Sequence, residues 1–263
     1  MNDNNDIKAL LDFYILSGVD ETCGTVAYTA QTPVKAPILS KEQAVIRPAT
    51  SHLALAATQA VKNAADLCNT ISTMEELRTA IENFDGCTLK NTAAHTVIGD
   101  GNPEAKIVFI GEAPGAEEDM IGKAFVGRSG QLLDKMLAAV GLDRTRCYIC
   151  NILPWRPPGN RSPSDAEIAV CLPFLKKQLA LIKPDYIIAL GSVAVNSLLG
   201  NADTISKLRG KWLEYEISEN QKVKVLATYH PAYLLRTPAQ KAKAWSDFLR
   251  LKKALCENNQ QLE

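Results

Sequence analysis

Apolar residues follow one rhythm up to about Lys106 and another beyond it. Downstream, short wholly apolar runs alternate with stretches in which apolar residues recur every three or four positions. Residues 107–110, closed by Gly111, read as a buried parallel strand, as do 148–152, 186–190 and 223–228. Between them, Leu132, Leu133, Met136, Leu137 and Val140 share one helical face. A longer helix opens at Ser164 with Glu167 and carries Ile168, Cys171, Leu172, Leu175, Leu179 and Ile182 until Lys183 and Pro184 stop it. A short helix follows Gly191, and a terminal one runs to about Cys256. Repeated strand-helix-strand text predicts an α/β three-layer sandwich, a central, mainly parallel four-stranded sheet flanked by helices. Ligands of such sheets sit beyond the carboxyl ends of the strands. The segments to read for chemistry are therefore 111–130, 151–162, 191–192 and 230–236.

Upstream the pattern is weaker. Ile7, Leu10, Leu11, Tyr14 and Ile15 form an apolar stripe that stops at Gly18, and Pro33, Pro37 and Pro48 punctuate a Thr/Ala-rich stretch expected to be a flexible linker over about 24–50. An Ala-rich helix is expected over 52–68, then another opened by Ser72 with Glu75 as a capping box. The expected organisation is a helical appendage over 1–86 and a catalytic domain over 87–257.

Composition narrows the class. The 263 residues are 46% hydrophobic and 22% charged, as in an ordinary globular protein. No apolar run is long enough for a membrane span, and the acidic start Met1-Asn2-Asp3 is unlike a secretory signal. Seven scattered cysteines do not make a disulfide framework, so a reducing cytoplasm is expected. The zero net charge hides an asymmetry of −5 over 1–106 and +5 over 107–263. Only the second part invites a polyanion.

Three strand-end segments carry candidate chemistry, each with a plain structural alternative. Gly111-Glu112-Ala113-Pro114-Gly115 makes a tight turn that lets backbone amides approach a ligand, with Glu112 and Glu118 placed to orient a water; a solvated acidic loop would read the same way. Asn151 precedes a Pro-stiffened basic loop with Arg156 and Arg161. Its amide suits a nucleobase edge and the guanidiniums suit phosphate, or else the Asn only satisfies backbone. His230 ends the last strand, and the other two histidines, at 52 and 95, lie where no other chemistry is legible.

Together these segments resemble the uracil-DNA glycosylase superfamily, family 4 type, over roughly residues 87 to 254. The matching text is Gly-Asn-Pro at 101–103, Gly-Glu-Ala-Pro-Gly at 111–115, Phe-Val-Gly at 125–127, Gly-Gln-Leu-Leu at 130–133, Arg-Pro-Pro-Gly-Asn-Arg at 156–161 and His-Pro-Ala-Tyr-Leu-Leu-Arg at 230–236. The resemblance implies an enzyme that swings uracil out of DNA and hydrolyses its bond to deoxyribose in base excision repair. It implies Glu112, Glu118 and His230 as catalytic groups, with His230 donating to the departing base. Uracil is then held by Phe125, Asn151, Gly111 and Ala113. DNA contacts fall to Asn160, Arg156, Arg161, Arg236, Arg209 and Lys211, with Lys207 beside them. Leu234 is the expected apolar wedge and Tyr233 its competitor. A monomer without membrane attachment is expected, with uracil-containing DNA as partner. The alternatives are a non-catalytic DNA-binding module on the same fold and a glycosylase for another deaminated base.

Two departures from the family matter. Its four-iron cluster takes four cysteines, but here the first pair reads Cys87-Thr88-Leu89-Lys90, the third position is Trp155, and only Cys171 matches on the following helix. No cluster, other cofactor or metal is expected, unless Cys23 or Cys68 completes the set. Cys147 and Cys150 imitate a metal pair but sit three apart in a strand, which sends them to opposite faces. Residues 119–128 lack the His-containing basic insertion of the relative that crosslinks to DNA, so turnover is expected.

Overall fold

The computed structural model describes residues 49–200, 203–218 and 221–257. The expected helix at 7–15, nearly all of the linker over about 24–50, and Cys23 lie outside them. The chain divides into two units at Arg47 and Pro48, and everything described belongs to the second.

Two helices open that unit, α1 (Ala49–Asn69) and α2 (Met74–Asn83). The capping box of α2 is one residue later than expected: Thr73 is the N-cap, its side chain accepts from Glu76 N at 3.1 Å, and the Glu76 carboxylate accepts from the amides of Thr73 and Ser72. Leu77, Ile81 and Phe84 point into the same apolar core as Ala64, Cys68, Cys171, Phe174 and Leu175, so these helices share a core with the domain that follows.

The four expected strands form the parallel centre of the sheet: β2 (Ile107–Gly111), β3 (Tyr148–Asn151), β4 (Tyr186–Leu190) and β6 (Gln221–Thr228), in spatial order β3-β2-β4-β6. Two antiparallel edges complete six strands, β1 (Asp100–Gly101) on β3 and β5 (Trp212–Ser218) on β6. The period-2 pleat sorts side chains between the layers. Val108 and Ile110 face α1, α2 and α5 (Asp165–Ile182); Ile107 and Phe109 face α4 (Arg128–Ala139) and α9 (Lys241–Glu257). Cys150 lies in the first core and Cys147 in the second, on opposite faces as the spacing requires. Helix α5 starts at the expected cap, with the Ser164 side chain accepting from Glu167 N at 3.3 Å and Glu167 accepting from Ser164 N at 2.8 Å.

Short helices α3 (Ala116–Ile121), α6 (Ser192–Leu199) and α8 (Pro231–Arg236) each start a few residues beyond a strand and so gather at the carboxyl edge of the sheet, and α7 (Ile205–Leu208), between α6 and β5, reaches the same edge through Ile205 and Ser206. Among the described residues no helix is long and apolar enough to cross a membrane.

Candidate active site

The segments that follow β2, β3, β4 and β6 line one cleft of about 760 Å³. Two backbone bonds join the first two beyond the sheet, Ile152 N to Gly111 O at 3.0 Å and Leu153 N to Glu112 O at 3.1 Å. Gly191 N donates to Thr228 O at 2.9 Å and joins the other two.

Gly111 and Asn151 are register partners on neighbouring strands. A Cβ on Gly111 would sit 2.4 Å from Asn151 Oδ1 and 2.5 Å from Phe125 Cζ, so only glycine lets the amide and the ring converge there. Phe125 is buried, and its ring centroid lies 5.6 Å from that of His230. Asn151 is buried too, yet its Oδ1 accepts no hydrogen bond from the protein. A buried acceptor left unpaired costs on the order of 1–3 kcal/mol, and a ligand donor would recover it.

His230 is the N-cap of α8, and its Nδ1 accepts from Ala232 N at 3.1 Å. With Nδ1 an acceptor, the ring's remaining proton is on Nε2. Burial, with a smaller contribution from the Arg236 charge, lowers the His230 pKa from 6.5 to about 4. At neutral pH the cleft therefore contains an uncharged imidazole whose Nε2–H is a donor. Burial raises the Glu112 carboxyl above its ordinary value.

Glu118 is differently placed. One of its oxygens accepts from Gly127 N at 2.8 Å and the other from Gly115 N at 3.1 Å, so the carboxylate clasps the two glycine turns that bracket Phe125 and the α3 N-terminus. Its neighbour Asp119 accepts from the amides of Ala94 and His95, while the His95 ring pairs with the Asp119 carbonyl at 2.7 Å.

A profile of the Uracil DNA glycosylase superfamily matches residues 98–249. The chain belongs to this superfamily. The type-4 uracil-DNA glycosylase of Archaeoglobus fulgidus is 44% identical over 63% of this chain and 84% of its own length. That of Thermotoga maritima is 41% identical over 62% and 83%, and that of Saccharolobus solfataricus 40% over 64% and 80%.

The glycosylase cleft brings together Glu112, Ala113, Glu118, Phe125, Asn151, Asn160, Arg161, His230 and Arg236. It does not include every expected residue. Leu234 is 1% exposed, packed with Tyr229 and Ala244, and so cannot be the wedge; helix α8 turns it inward and leaves Tyr233 lining the cleft. Arg209 is not available to phosphate either. It pairs with buried Asp247 at 2.5 and 3.1 Å, donates to Lys243 O, and lies 5.6 Å over the Tyr229 ring. Asp247 in turn accepts from Thr228 Oγ1 at 2.8 Å, so this network braces the strand end just before His230. Lys211 is exposed but outside the cleft lining, and Lys207 pairs with Asp203 at 3.7 Å. Arg156 binds Asn160 Oδ1 at 2.8 Å, and Arg161 grips Glu167 at 2.6 and 2.9 Å. Arg128, exposed at the start of α4, lines the cleft without having been singled out; no motif distinguishes it from any basic residue after a glycine.

The residues at the family's cluster positions do not fit a four-iron group. Cys87 and Cys171 share a hydrogen bond, which lowers the pKa of the first and raises that of the second. Lys90 instead pairs with Asp85 at 2.6 Å, and Trp155 is 1% exposed, with Nε1 donating to Thr96 Oγ1 at 3.1 Å. Its indole lies in the same core as the two thiols. Cys68 is buried in that core as well, but among the described residues no three metal-ligating side chains converge. Trp155→Ala is therefore expected to cost about 3–5 kcal/mol of stability while leaving uracil excision at room temperature little changed. Chemical denaturation beside a glycosylase assay checks this, and an unchanged midpoint would show that the indole does not support this core.

Proposed function

We propose that this chain is a uracil-DNA glycosylase: it takes uracil from DNA, hydrolyses the N-glycosidic bond and leaves an abasic site. One observation carries the reading. An unpaired buried amide oxygen, an aromatic ring and an Nε2–H donor meet at one cleft, and their chemistry complements uracil. The imide N–H of uracil satisfies Asn151 Oδ1, where cytosine presents an acceptor and is repelled. The base stacks on Phe125 against Gly111 and Ala113.

As the glycosidic bond breaks, negative charge develops on the base and positive charge on the sugar. A preformed neutral donor helps most at that point, so His230 Nε2–H stabilises the departing base. Glu112 faces the cationic sugar and orients the attacking water. Glu118 supports catalysis by holding Gly115 and Gly127. Arg128 and Arg236 take phosphate, with Arg161 at the cleft rim held by Glu167, and Tyr233 fills the vacated stack. Among the described residues, all that line this cleft lie within 87–257, which supports that span as the catalytic domain, with α1 and α2 as its buttress. The enzyme works as a monomer in the reducing cytoplasm, without a cofactor, and no protein partner is assigned.

The reading is tested with oligonucleotides carrying one uracil opposite G, opposite A or unpaired, incubated with enzyme and EDTA, then cleaved at abasic sites with alkali. Scission with many turnovers supports it. Salt-dependent binding without scission would make the chain a recognition module, and scission only at hypoxanthine or xanthine would reassign the base.

The pH profile is a sharper check. Protonating Glu112 removes the carboxylate that orients water, and protonating His230 leaves Nε2–H in place but ends acceptance by Nδ1 from Ala232 N, which unseats the ring. Activity therefore falls as pH drops, first through the raised Glu112 pKa and then through about 4. An ordinary imidazole would lose activity near about 6.5. Glu112→Gln should remove the upper inflection, leaving a slower enzyme that fails only near the His230 value. An inflection close to 6.5 that survives Glu112→Gln would overturn the neutral-donor assignment.

A further inference from the structure

We propose that Arg144, which lies outside the cleft lining, is a positioning residue for the base-binding ring, and that it acts by holding the Phe125 backbone in a conformation phenylalanine seldom adopts. The inference rests on the reading of Phe125 as the surface on which uracil stacks.

Phe125 has φ 54°, in the left-handed region that only glycine enters freely. Such a residue persists where its surroundings over-determine it. Two features do so here. Gly130, in the first turn of α4, is packed so tightly on this backbone that a Cβ would fall 1.7 Å from Phe125 O. The Arg144 guanidinium grips the same peptide units, donating to Ala124 O at 3.0 Å and to Phe125 O.

The clamp is itself held. Arg144 Nη1 donates to Asp100 Oδ2 at 2.5 Å, Nε to Asp134 Oδ1 at 2.9 Å and Nη2 to Asp134 Oδ2 at 3.3 Å. All five N–H groups of the guanidinium thus have acceptors. Two carboxylates outweigh its single charge, which leaves nothing to offer a phosphate. The fork ties edge strand β1, helix α4 and the loop before β3 to the turn that carries Phe125.

The consequence lies in ring placement. If φ at 125 relaxed to a common value, the Cα–Cβ bond would swing and the ring would leave its contact with Gly111 and its position 5.6 Å from His230. Lysine cannot replace arginine here, because one ammonium cannot chelate two successive carbonyls while meeting two carboxylates. DNA affinity should survive such a change, since it comes from phosphate contacts elsewhere.

The test compares Arg144→Gln, Arg144→Lys, Phe125→Ala and the double variant Arg144→Gln/Phe125→Ala, with KM and kcat on single-stranded uracil DNA, inhibition by free uracil, and Tm. Expected are a kcat lowered about tenfold or more in both Arg144 variants, KM little changed, and weaker inhibition by free uracil, with the double variant no slower than Phe125→Ala alone. A merely structural arginine would lower Tm and leave kcat and uracil inhibition of the folded fraction unchanged, which would overturn the proposal. Losses that add in the double variant would overturn it too. Should Arg144→Gln not fold, Asp134→Asn loosens the clamp with the guanidinium still present and is judged by the same readouts. Full activity in Phe125→Ala would instead refute the stacking role on which the proposal rests.

Discussion

His230→Ala is expected to lower kcat about 100- to 1000-fold while leaving affinity for uracil-containing DNA nearly unchanged, because a donor aimed at developing charge contributes mainly in the transition state. The substitution also removes the N-cap of α8, where Nδ1 accepts from Ala232 N, and cap loss costs roughly 1 kcal/mol. His230→Asn separates the two effects. Asparagine is a good N-cap, so its Tm should stay near that of the parent, yet its short amide does not reach where Nε2 stood. Equal loss of kcat in both variants with unequal Tm would place the effect in the chemistry. Retained kcat in His230→Asn would mean that His230 only caps the helix.

Asn151→Leu should divide activity from stability in the opposite direction. The amide is buried with Oδ1 unpaired, so an apolar side chain of similar size removes a desolvation cost and is expected to leave the protein equally stable or up to about 1 kcal/mol more stable. Excision of uracil should fall on the order of 100- to 1000-fold, since on the proposed reading the amide meets the base edge twice, Oδ1 accepting from the imide N–H and Nδ2 donating to a neighbouring carbonyl, and each bond is worth about 1–3 kcal/mol in a dry pocket. The paired measurement is Tm and single-turnover excision. A clear loss of Tm would show that Asn151 is satisfied within the protein and holds structure. A loss of activity of less than about tenfold would move recognition of the base elsewhere.

The central sheet was legible because parallel strands buried on both faces are written as uninterrupted apolar runs, and residues 107–110 and 186–190 have no other reading. The two edge strands were not. Asp100 and Gly101 are too short and polar to carry a pattern, and β5 packs one side only. Its alternation of Leu213, Tyr215 and Ile217 with Glu214 and Glu216 was the available signal. The helices of residues 49–83 were expected, but not that they share a core with the sheet; amphipathicity says that a face is buried and not against what.

The candidate site divides in the same way. Strand-end position and family motifs placed Glu112, Phe125, Asn151 and His230 around one cleft from sequence, because residues at the carboxyl edge of a parallel sheet converge wherever they fall in the chain. Only the tertiary structure decided which neighbours are free to act. Side chains of one type are alike on paper, but Arg209 is consumed by Asp247 and Arg144 by two aspartates and two carbonyls, while Arg236 faces the cleft. Leu234 and Tyr233 are adjacent in sequence, and the turn of α8 buries the first and presents the second. Glu112 and Glu118 are both carboxylates after the same strand, and the backbone amides of Gly115 and Gly127 claim only Glu118. Local pattern determined the elements and the kind of chemistry; the roles within the site depended on hydrogen bonds between residues distant along the chain, which no local pattern records.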